Sequence, residues 1–435
     1  MNDILLFGAG KSATVLIEFL KAEAPKFMWK VVVADQSVEM LSEKIGLHSF
    51  VSAKACNIIN EVERQSLITN TRLVISLLPP NLHFEVAKDC IAFKKHLLTA
   101  SYVDDNMRSL ANAAKENNLL FLAEMGLDPG IDHMSAMEII DRLQGEGATI
   151  TSFKSHCGGL VAPKSNNNPW QYKISWNPKN IVLAGKAGAI YKQNNAIVKV
   201  GYNDIFNNND SIFSDTLQTN LAFYPNRDSL SYVSTYGLLS TTNFIRTTLR
   251  YPQFCIGWQT LIEYGFTNEN NMLDTNAFSI KELAAQHFSG ESFESKLASL
   301  PTVIAQQFDY LFNDTAVLTK GKISSAYFLQ LLLEQKLMLT TNDADMVVMV
   351  HEFEYSLNQK NYYLTSELIL EGENNVHTAM AKTVGLPLGI AASLLLQNKL
   401  QTNGLQIPIS KEIYEPVLDI LKNYGVGFTE KVKEI

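Results

Sequence analysis

The sequence predicts an α/β protein in which an N-terminal doubly wound parallel sheet precedes a mixed α+β domain with a helical insert. Three observations predict it. Residues 1 to about 125 alternate short aliphatic runs with segments whose apolar residues recur at helical spacing, the pattern of βαβ units. The first of those runs leads straight into a glycine turn and a helix. Beyond about residue 150 the runs alternate apolar and polar residues, as strands of a sheet covered on one face do, and a long helical stretch interrupts them.

The elements follow in order. Ile4 to Phe7 is the first strand, and Ser12 to Ala24 is a helix with Val15, Leu16, Phe19 and Leu20 on one face and Pro25 closing it. Lys30 to Ala34 is a second strand, and Leu73 to Leu78 a fourth, ending at Pro79 and Pro80. His96 to Ala100 and Leu119 to Ala123 extend the sheet, whose ligand edge lies where these strands end. In the second half Ile150 to Ser155, Ala196 to Gly201 and Met346 to Tyr355 read as strands. Met346 to Leu357 and Tyr362 to Glu371 flank the turn Asn358-Gln359-Lys360-Asn361, a predicted hairpin. The helical insert spans about 276–338, with Ile280 to Phe288 and Ser324 to Leu339 its clearest segments. Gly389 to Gln397 and Ile413 to Asn423 are amphipathic helices expected to return to the first domain, and Asn207 to Asn209 is expected to be a loop.

Composition narrows the function. A chain of 435 residues with 46% hydrophobic and 18% charged residues builds more than one packed core. Its net charge of -8, with no basic stripe, argues against a nucleic-acid partner. Cys56, Cys90, Cys157 and Cys255 are scattered, which supports neither a zinc site nor a disulfide framework and makes a reducing cytoplasm the expected location. No His/Glu/Cys set points to a catalytic metal. The apolar stretch Leu388 to Leu396 is too short to span a bilayer, and the first residues lead into a strand without a signal-peptide pattern, so no membrane partner is expected.

Gly8-Ala9-Gly10-Lys11-Ser12-Ala13 reads G-x-G-x-x-A between a strand and a helix. Gly8 makes the tight turn, Gly10 lets backbone approach a pyrophosphate, and the small Ala13 permits close helix–strand packing, while amides at the helix start face the phosphates. This is the fingerprint of a Rossmann dinucleotide-binding domain. Asp35, closing the second strand, accepts hydrogen bonds from ribose hydroxyls and repels a 2′-phosphate, so NAD is the expected cofactor. An Asp opening the next helix, with Gln36 and Ser37 as a cap, is the other reading; Lys11 attracts phosphate and leaves NADP open. The expected domains are 1–125, completed by about 390–435, for the dinucleotide, and 126–389 for the substrate.

An ordered set of further motifs resembles the saccharopine dehydrogenase (L-glutamate-forming) family. They are Ser76-Leu-Leu-Pro79, Ala100-Ser-Tyr-Val103, Gly126-Leu-Asp-Pro-Gly-Ile-Asp-His133 and Cys157-Gly-Gly-Leu160. Asn168-Pro-Trp-Gln-Tyr-Lys-Ile-Ser-Trp176, Tyr224-Pro-Asn-Arg-Asp-Ser229, Thr248-Leu-Arg-Tyr251 and Ala379-Met-Ala-Lys-Thr-Val-Gly-Leu-Pro387 complete the set, which spans nearly the whole chain. The resemblance implies an oxidoreductase of lysine metabolism that converts saccharopine, NAD(P)+ and water to L-glutamate, 2-aminoadipate 6-semialdehyde and reduced cofactor, reversibly, with hydride transfer at the imine carbon.

The resemblance also implies site residues. Leu77, Leu127, Asp128, Pro129 and Trp176 join the glycine turn at the cofactor, Ser101 touches both ligands, and Tyr102, Asp128, Arg227, Thr247, Thr248 and Leu249 contact substrate. The chemistry agrees: a tricarboxylate calls for guanidinium forks, and Arg227, Arg246 and Arg250 cluster where other charges are few. Asp128 can orient the secondary amine and help move its proton, although Leu-Asp-Pro-Gly is also a plain turn composition. His133 titrates near neutral pH, with a capping or core role as the alternative, and Trp176 is either a nicotinamide wall or a core residue. Pro80, His156 and Val161 depart from the family's aromatic, Tyr and Pro, near the expected pocket. Two other readings compete: a related reductive-amination dehydrogenase such as carboxynorspermidine dehydrogenase, and a silent dinucleotide-binding sensor. The expected partner is a small-molecule substrate, and a homodimer is allowed.

Overall fold

The computed structural model describes residues 2–207 and 210–435, apart from the side chain of residue 40. Asn208 and Asn209, in the run expected to be a loop, lie outside the described residues. The chain divides into two compact units, Met1–Gly147 with Val376–Phe428, and Ala148–Asn375 with Thr429–Ile435.

The first unit opens with β1 (Ile4–Phe7), α1 (Thr14–Phe27) and β2 (Val31–Asp35). All of β1 and Val31 to Ala34 of β2 are buried, because a parallel strand covered on both faces needs an unbroken apolar run. The first helical turn, Lys11–Ala13, is a tighter 3-10 turn, and α1 runs through Pro25 rather than stopping there. Pro25 removes one backbone hydrogen bond without ending the helix, which stops at Met28 in the left-handed conformation, φ 57°. β3 (Val51–Ala55), β4 (Leu73–Ser76), α2 (His83–Ala92), β5 (His96–Thr99), β6 (Leu120–Leu122) and α3 (Ile131–Gly145) follow.

The second unit is built on β7 (Thr149–Val161), β8 (Thr219–Pro225), β9 (Asn243–Arg250), β10 (Asp345–Leu357) and β11 (Lys360–Glu371). β9 runs parallel to β7 and antiparallel to β8, while β10 lies antiparallel between β7 and β11. Helices and turns between β9 and β10 bury Trp258, Phe266, Phe288, Phe308 and Phe312 in one cluster with Tyr224 of β8. That helical stretch begins with Pro252–Glu263, earlier than residue 276, since Pro252 is well placed in a first helical turn. The β10–β11 turn is tighter than the one expected: Leu357 faces Lys360, and Asn358 and Gln359, at φ 51° and 64°, form a two-residue loop whose twist matches the strands.

The chain then rejoins the first unit through α4 (Ala379–Leu396), β12 (Gly404–Gln406) and α5 (Lys411–Lys422), and β13 (Thr429–Glu434) pairs with β11 of the second. Thr378 caps α4 by accepting from the Ala381 amide at 2.9 Å, so the helix starts well before Gly389. By length and composition α4 could cross a membrane, which the short stretch from Leu388 did not suggest, yet 78% of it is buried within the protein, as a core helix is. α3 belongs to the first unit, not the second, because α5 holds it through Tyr414, whose hydroxyl donates to Asp141 at 2.5 Å. Among the described residues the first sheet runs β12-β6-β5-β4-β1-β2-β3, all parallel, so the strand order reverses at β1.

Two glycines let α4 lie against α1. A Cβ on Gly385 would stand 2.8 Å from the Leu16 nitrogen, and one on Gly389 would stand 2.6 Å from the Phe19 ring. Alanine favours a helix over glycine by about 1 kcal/mol, but overpacking against backbone costs about 1–3 kcal/mol. Gly385→Ala should therefore lower the urea midpoint of unfolding despite its better helix propensity; an unchanged or raised midpoint would show that α1 yields without cost.

Candidate active site

The candidate site in the first unit lies at the carboxyl ends of β1, β4, β5 and β6. Gly8 leaves β1 at φ 92°, and a Cβ there would sit 2.7 Å from the Leu77 carbonyl oxygen. Only glycine fits, because β4 runs beside β1 and its continuation crosses directly over the turn. Gly10 differs: a Cβ on it would meet nothing within 4 Å. That open space beside a helix start is the room a pyrophosphate requires. The buried Ala13 closes the turn, its amide donating to the Gly10 carbonyl at 3.1 Å.

Asp35, at the end of β2, faces this turn. Its Oδ2 accepts from the Ala9 amide at 2.7 Å and its Oδ1 from the Gln36 amide at 2.7 Å. The ammonium of Lys44 donates to the Ala9 and Gly10 carbonyls, both at 2.7 Å. Burial pushes the Lys44 pKa down, while the charges of Asp35 and Glu18 oppose that shift. The sequence reading missed Lys44, which reaches the turn from a helix far along the chain.

Buried polar side chains hold the neighbouring loops. His83 joins Ser76 at the end of β4 to Ser101 after β5, with Nδ1 2.8 Å from the Ser76 hydroxyl and Nε2 2.7 Å from the Ser101 hydroxyl. Glu124 accepts from the Val103 amide at 3.0 Å and lies 2.8 Å from Nε2 of the fully buried His133. The Gly130 amide donates to Asp132 at 2.6 Å. Between these posts the Tyr102 hydroxyl donates to Asp128 at 2.9 Å, with Ser101, Tyr102 and Asp128 half-exposed and Leu127 and Pro129 buried beside them. The fold thus brings together Ser101, Tyr102 and Asp128, three of the expected site residues, while His83 and Glu124 are structural partners that local sequence did not signal.

The second unit sorts its expected residues differently. Thr247 and Leu249 point to one face of β9 and Thr248 to the other, as strand alternation requires, so the three do not line one surface. Thr247 is buried, its hydroxyl 2.7 Å from His156 Nδ1, and His156 Nε2 lies 2.9 Å from Glu352. Burial alone would raise the Glu352 pKa, but His156, Lys154 and Tyr363 hold it down at about 2. His156 thus links the Thr247 hydroxyl on one side of its ring to the Glu352 carboxylate on the other. Arg227 is exposed at φ 51°, Arg246 is buried over the Tyr232 ring at 4.6 Å, and Trp176 is half-buried.

The chain is similar to known proteins over nearly its whole length. A family model described as the saccharopine dehydrogenase NADP binding domain matches residues 4–122, and one described as the saccharopine dehydrogenase C-terminal domain matches residues 126–426. The chain is 35% identical, over 93% of its length, to the alpha-aminoadipic semialdehyde synthase of Arabidopsis thaliana, of which it spans 41%. It is 29% identical to the saccharopine dehydrogenase (NADP(+), L-glutamate-forming) of Schizosaccharomyces pombe over 99% of both. Its structure superposes on apo saccharopine dehydrogenase (L-Glu forming) from Saccharomyces cerevisiae with a TM-score of 0.89 at 28% identity, covering 100% of each chain. It spans under half the length of the plant relative and nearly all of the fungal one.

Burial holds His83 down, with Asp104 opposing, to a pKa of about 4 against 6.5 for the free side chain. Between those values the unfolded chain binds a proton that the folded chain does not, so stability rises with pH there and is lost as pH falls from 6.5 towards 4. His83→Gln removes the titration. Urea midpoints at about pH 7 and pH 5 should fall further for the unmutated protein than for the variant; equal falls would show that His83 accepts a proton in the fold.

Proposed function

Because the chain belongs to the saccharopine dehydrogenase family, we propose that it interconverts saccharopine and water with L-glutamate and 2-aminoadipate 6-semialdehyde, using a nicotinamide dinucleotide held by the first unit. The observation that carries this reading is the Tyr102–Asp128 pair, which follows β5 and β6 at the same edge of the sheet as the glycine turn after β1. The turn fits the cofactor: Gly8 is closed against Leu77, whereas Gly10 opens to free space. Bound there, the dinucleotide supplies the hydride acceptor for oxidation and the hydride donor for reduction.

Asp128 is assigned the proton chemistry. In the oxidative direction hydride leaves the carbon that becomes the aldehyde, the amine proton passes to the carboxylate, and water hydrolyses the resulting imine to release glutamate. Tyr102 fixes the rotamer of that carboxylate, and His83 fixes the Ser101 hydroxyl. Arg227 is assigned to one of the three substrate carboxylates, since burying a carboxylate without a partner is costly.

The preferred dinucleotide turns on Asp35 and Lys44. Asp35 alone favours NAD, but both of its oxygens already accept backbone amides, and Lys44 stands at the same turn. A cation there offsets the repulsion a 2′-phosphate would meet, so we assign NADP(H) as the better cofactor, in line with the printed names of the fungal relatives. This reverses the preference read from Asp35.

Absorbance of reduced nicotinamide reports the activity directly. Saccharopine should drive dinucleotide reduction, with a higher kcat/KM for NADP than for NAD. Asp128→Asn should lower kcat by about 100-fold or more while dinucleotide affinity holds, the range for loss of a general acid–base. No turnover of saccharopine would reject the reading, a preference for NAD would reject the role of Lys44, and an unimpaired Asp128→Asn would reject Asp128.

A further inference from the structure

Tyr102 and Asp128 come from two loops, one after β5 and one after β6, and a single side chain reaches both. Glu124, two residues beyond β6, is 3% exposed and holds φ 56°, a left-handed conformation that glutamate rarely adopts. Glycine would make such a turn with less strain, but it has no carboxylate. Glu124 grips the first loop at two points. Its amide donates to the Ser101 carbonyl at 3.0 Å, and its Oε1 accepts from the Val103 amide at 3.0 Å. Tyr102 is therefore held between two hydrogen bonds made by one residue.

The other carboxylate oxygen faces the second loop. Oε2 lies 2.8 Å from Nε2 of His133, in the first turn of α3, and Nδ1 of the same ring lies 3.7 Å from Asp132. Asp132 in turn accepts from the Gly130 amide at 2.6 Å. The loop closes on itself, because the Gly126 amide donates to the Pro129 carbonyl and the Ile131 amide to the Gly126 carbonyl, both at 2.9 Å. Asp128 sits inside that closed loop. Glu124, Asp132 and His133 are all buried, and a buried polar network of this kind fixes one arrangement of the segments it joins. The half-exposed end of the arrangement is the Tyr102 hydroxyl donating to Asp128 at 2.9 Å, a contact that depends on where both loops stand.

We propose that Glu124 is a positioning residue for proton transfer: by tying the Tyr102 loop to the Asp128 loop through His133, it holds the Tyr102 hydroxyl on the Asp128 carboxylate. This rests on the reading of Asp128 as the group that takes the amine proton. A carboxylate serving only stability would lower the unfolding temperature when removed, but the effect of its removal on turnover would not depend on the Tyr102 hydroxyl.

Glu124→Gly suits the backbone and removes the grip on Val103, whereas Glu124→Gln keeps an acceptor for that amide. With saccharopine as substrate, kcat should fall at least about tenfold in Glu124→Gly while KM changes less, and Glu124→Gln should recover kcat to within about threefold of the unmutated protein. In a Tyr102→Phe background the glycine substitution should lower kcat by less than about twofold more, since the hydroxyl that Glu124 positions is gone. Hydrogen exchange at residues 100–104 reads the grip without turnover, and should be faster in Glu124→Gly than in the unmutated protein or Glu124→Gln. Should Glu124→Gly fail to fold, Glu124→Met, which fills the space without an acceptor, carries the comparison. Equal losses of kcat with and without the Tyr102 hydroxyl, a Glu124→Gln as impaired as Glu124→Gly, or an unimpaired kcat in folded Glu124→Gly would overturn the proposal while leaving the function standing. The expected exchange pattern in a protein that does not oxidise saccharopine would leave the grip on Tyr102 standing and remove the function. Unchanged exchange together with absence of saccharopine turnover in the unmutated protein would overturn both.

Discussion

The first unit depends on one close approach, that of the Leu77 carbonyl to Gly8. β4 pairs alongside β1, and the chain leaving β4 crosses over the turn so tightly that a single methyl on Gly8 would meet a carbonyl oxygen at 2.7 Å. Because Gly8 yields that space, α1 starts directly below the turn, and Gly10 is left facing open space. The same economy of side chains recurs one layer away, where Gly385 and Gly389 of α4 let its backbone press on α1. The phosphate turn is thus fixed from above by a strand and from below by a helix that arrives from the far end of the chain.

Around that turn, direction is set by hydrogen bonds rather than by packing. Parallel strands end with unpaired backbone, so the loops after β4, β5 and β6 have no ladder to hold them. His83 and the Glu124–His133 pair supply the missing constraints from within the core, where all three side chains are buried. The half-exposed Ser101, Tyr102 and Asp128 are what these posts present. In the second unit the arrangement is similar, with Glu352 fixing His156 and His156 fixing Thr247.

Local sequence carried the parts of this account whose physics is local. The strand–glycine–helix order from Ile4 to Ala24 and the aliphatic runs of the parallel sheet lie where they were read, and the segments after His96–Thr99 and Leu120–Leu122 do follow strand ends. Partnerships between distant segments were not legible. Lys44 reaches the Ala9 and Gly10 carbonyls, His156 meets Glu352 across two strands, and α5 draws α3 into the first unit. The face of each residue on β9 was recoverable by alternation, yet the motif match grouped Thr247, Thr248 and Leu249 and obscured it. The preference for NAD was likewise read from Asp35 alone, without Lys44 at the same turn.

The central claim is that the Gly8–Ala13 turn cradles a dinucleotide pyrophosphate, and Gly10 offers a clean way to test it. Its φ of -60° suits any residue, and a Cβ there meets no atom of the protein within 4 Å, so Gly10→Val should fold as the unmutated chain does. The decisive measurement is calorimetric titration of both proteins with NADPH and NADH, alongside thermal unfolding. The account predicts equal unfolding temperatures and at least about a tenfold loss of affinity for both dinucleotides, a difference of about 1.4 kcal/mol. Undiminished binding to a normally folded Gly10→Val would contradict it, because the pyrophosphate would then lie elsewhere.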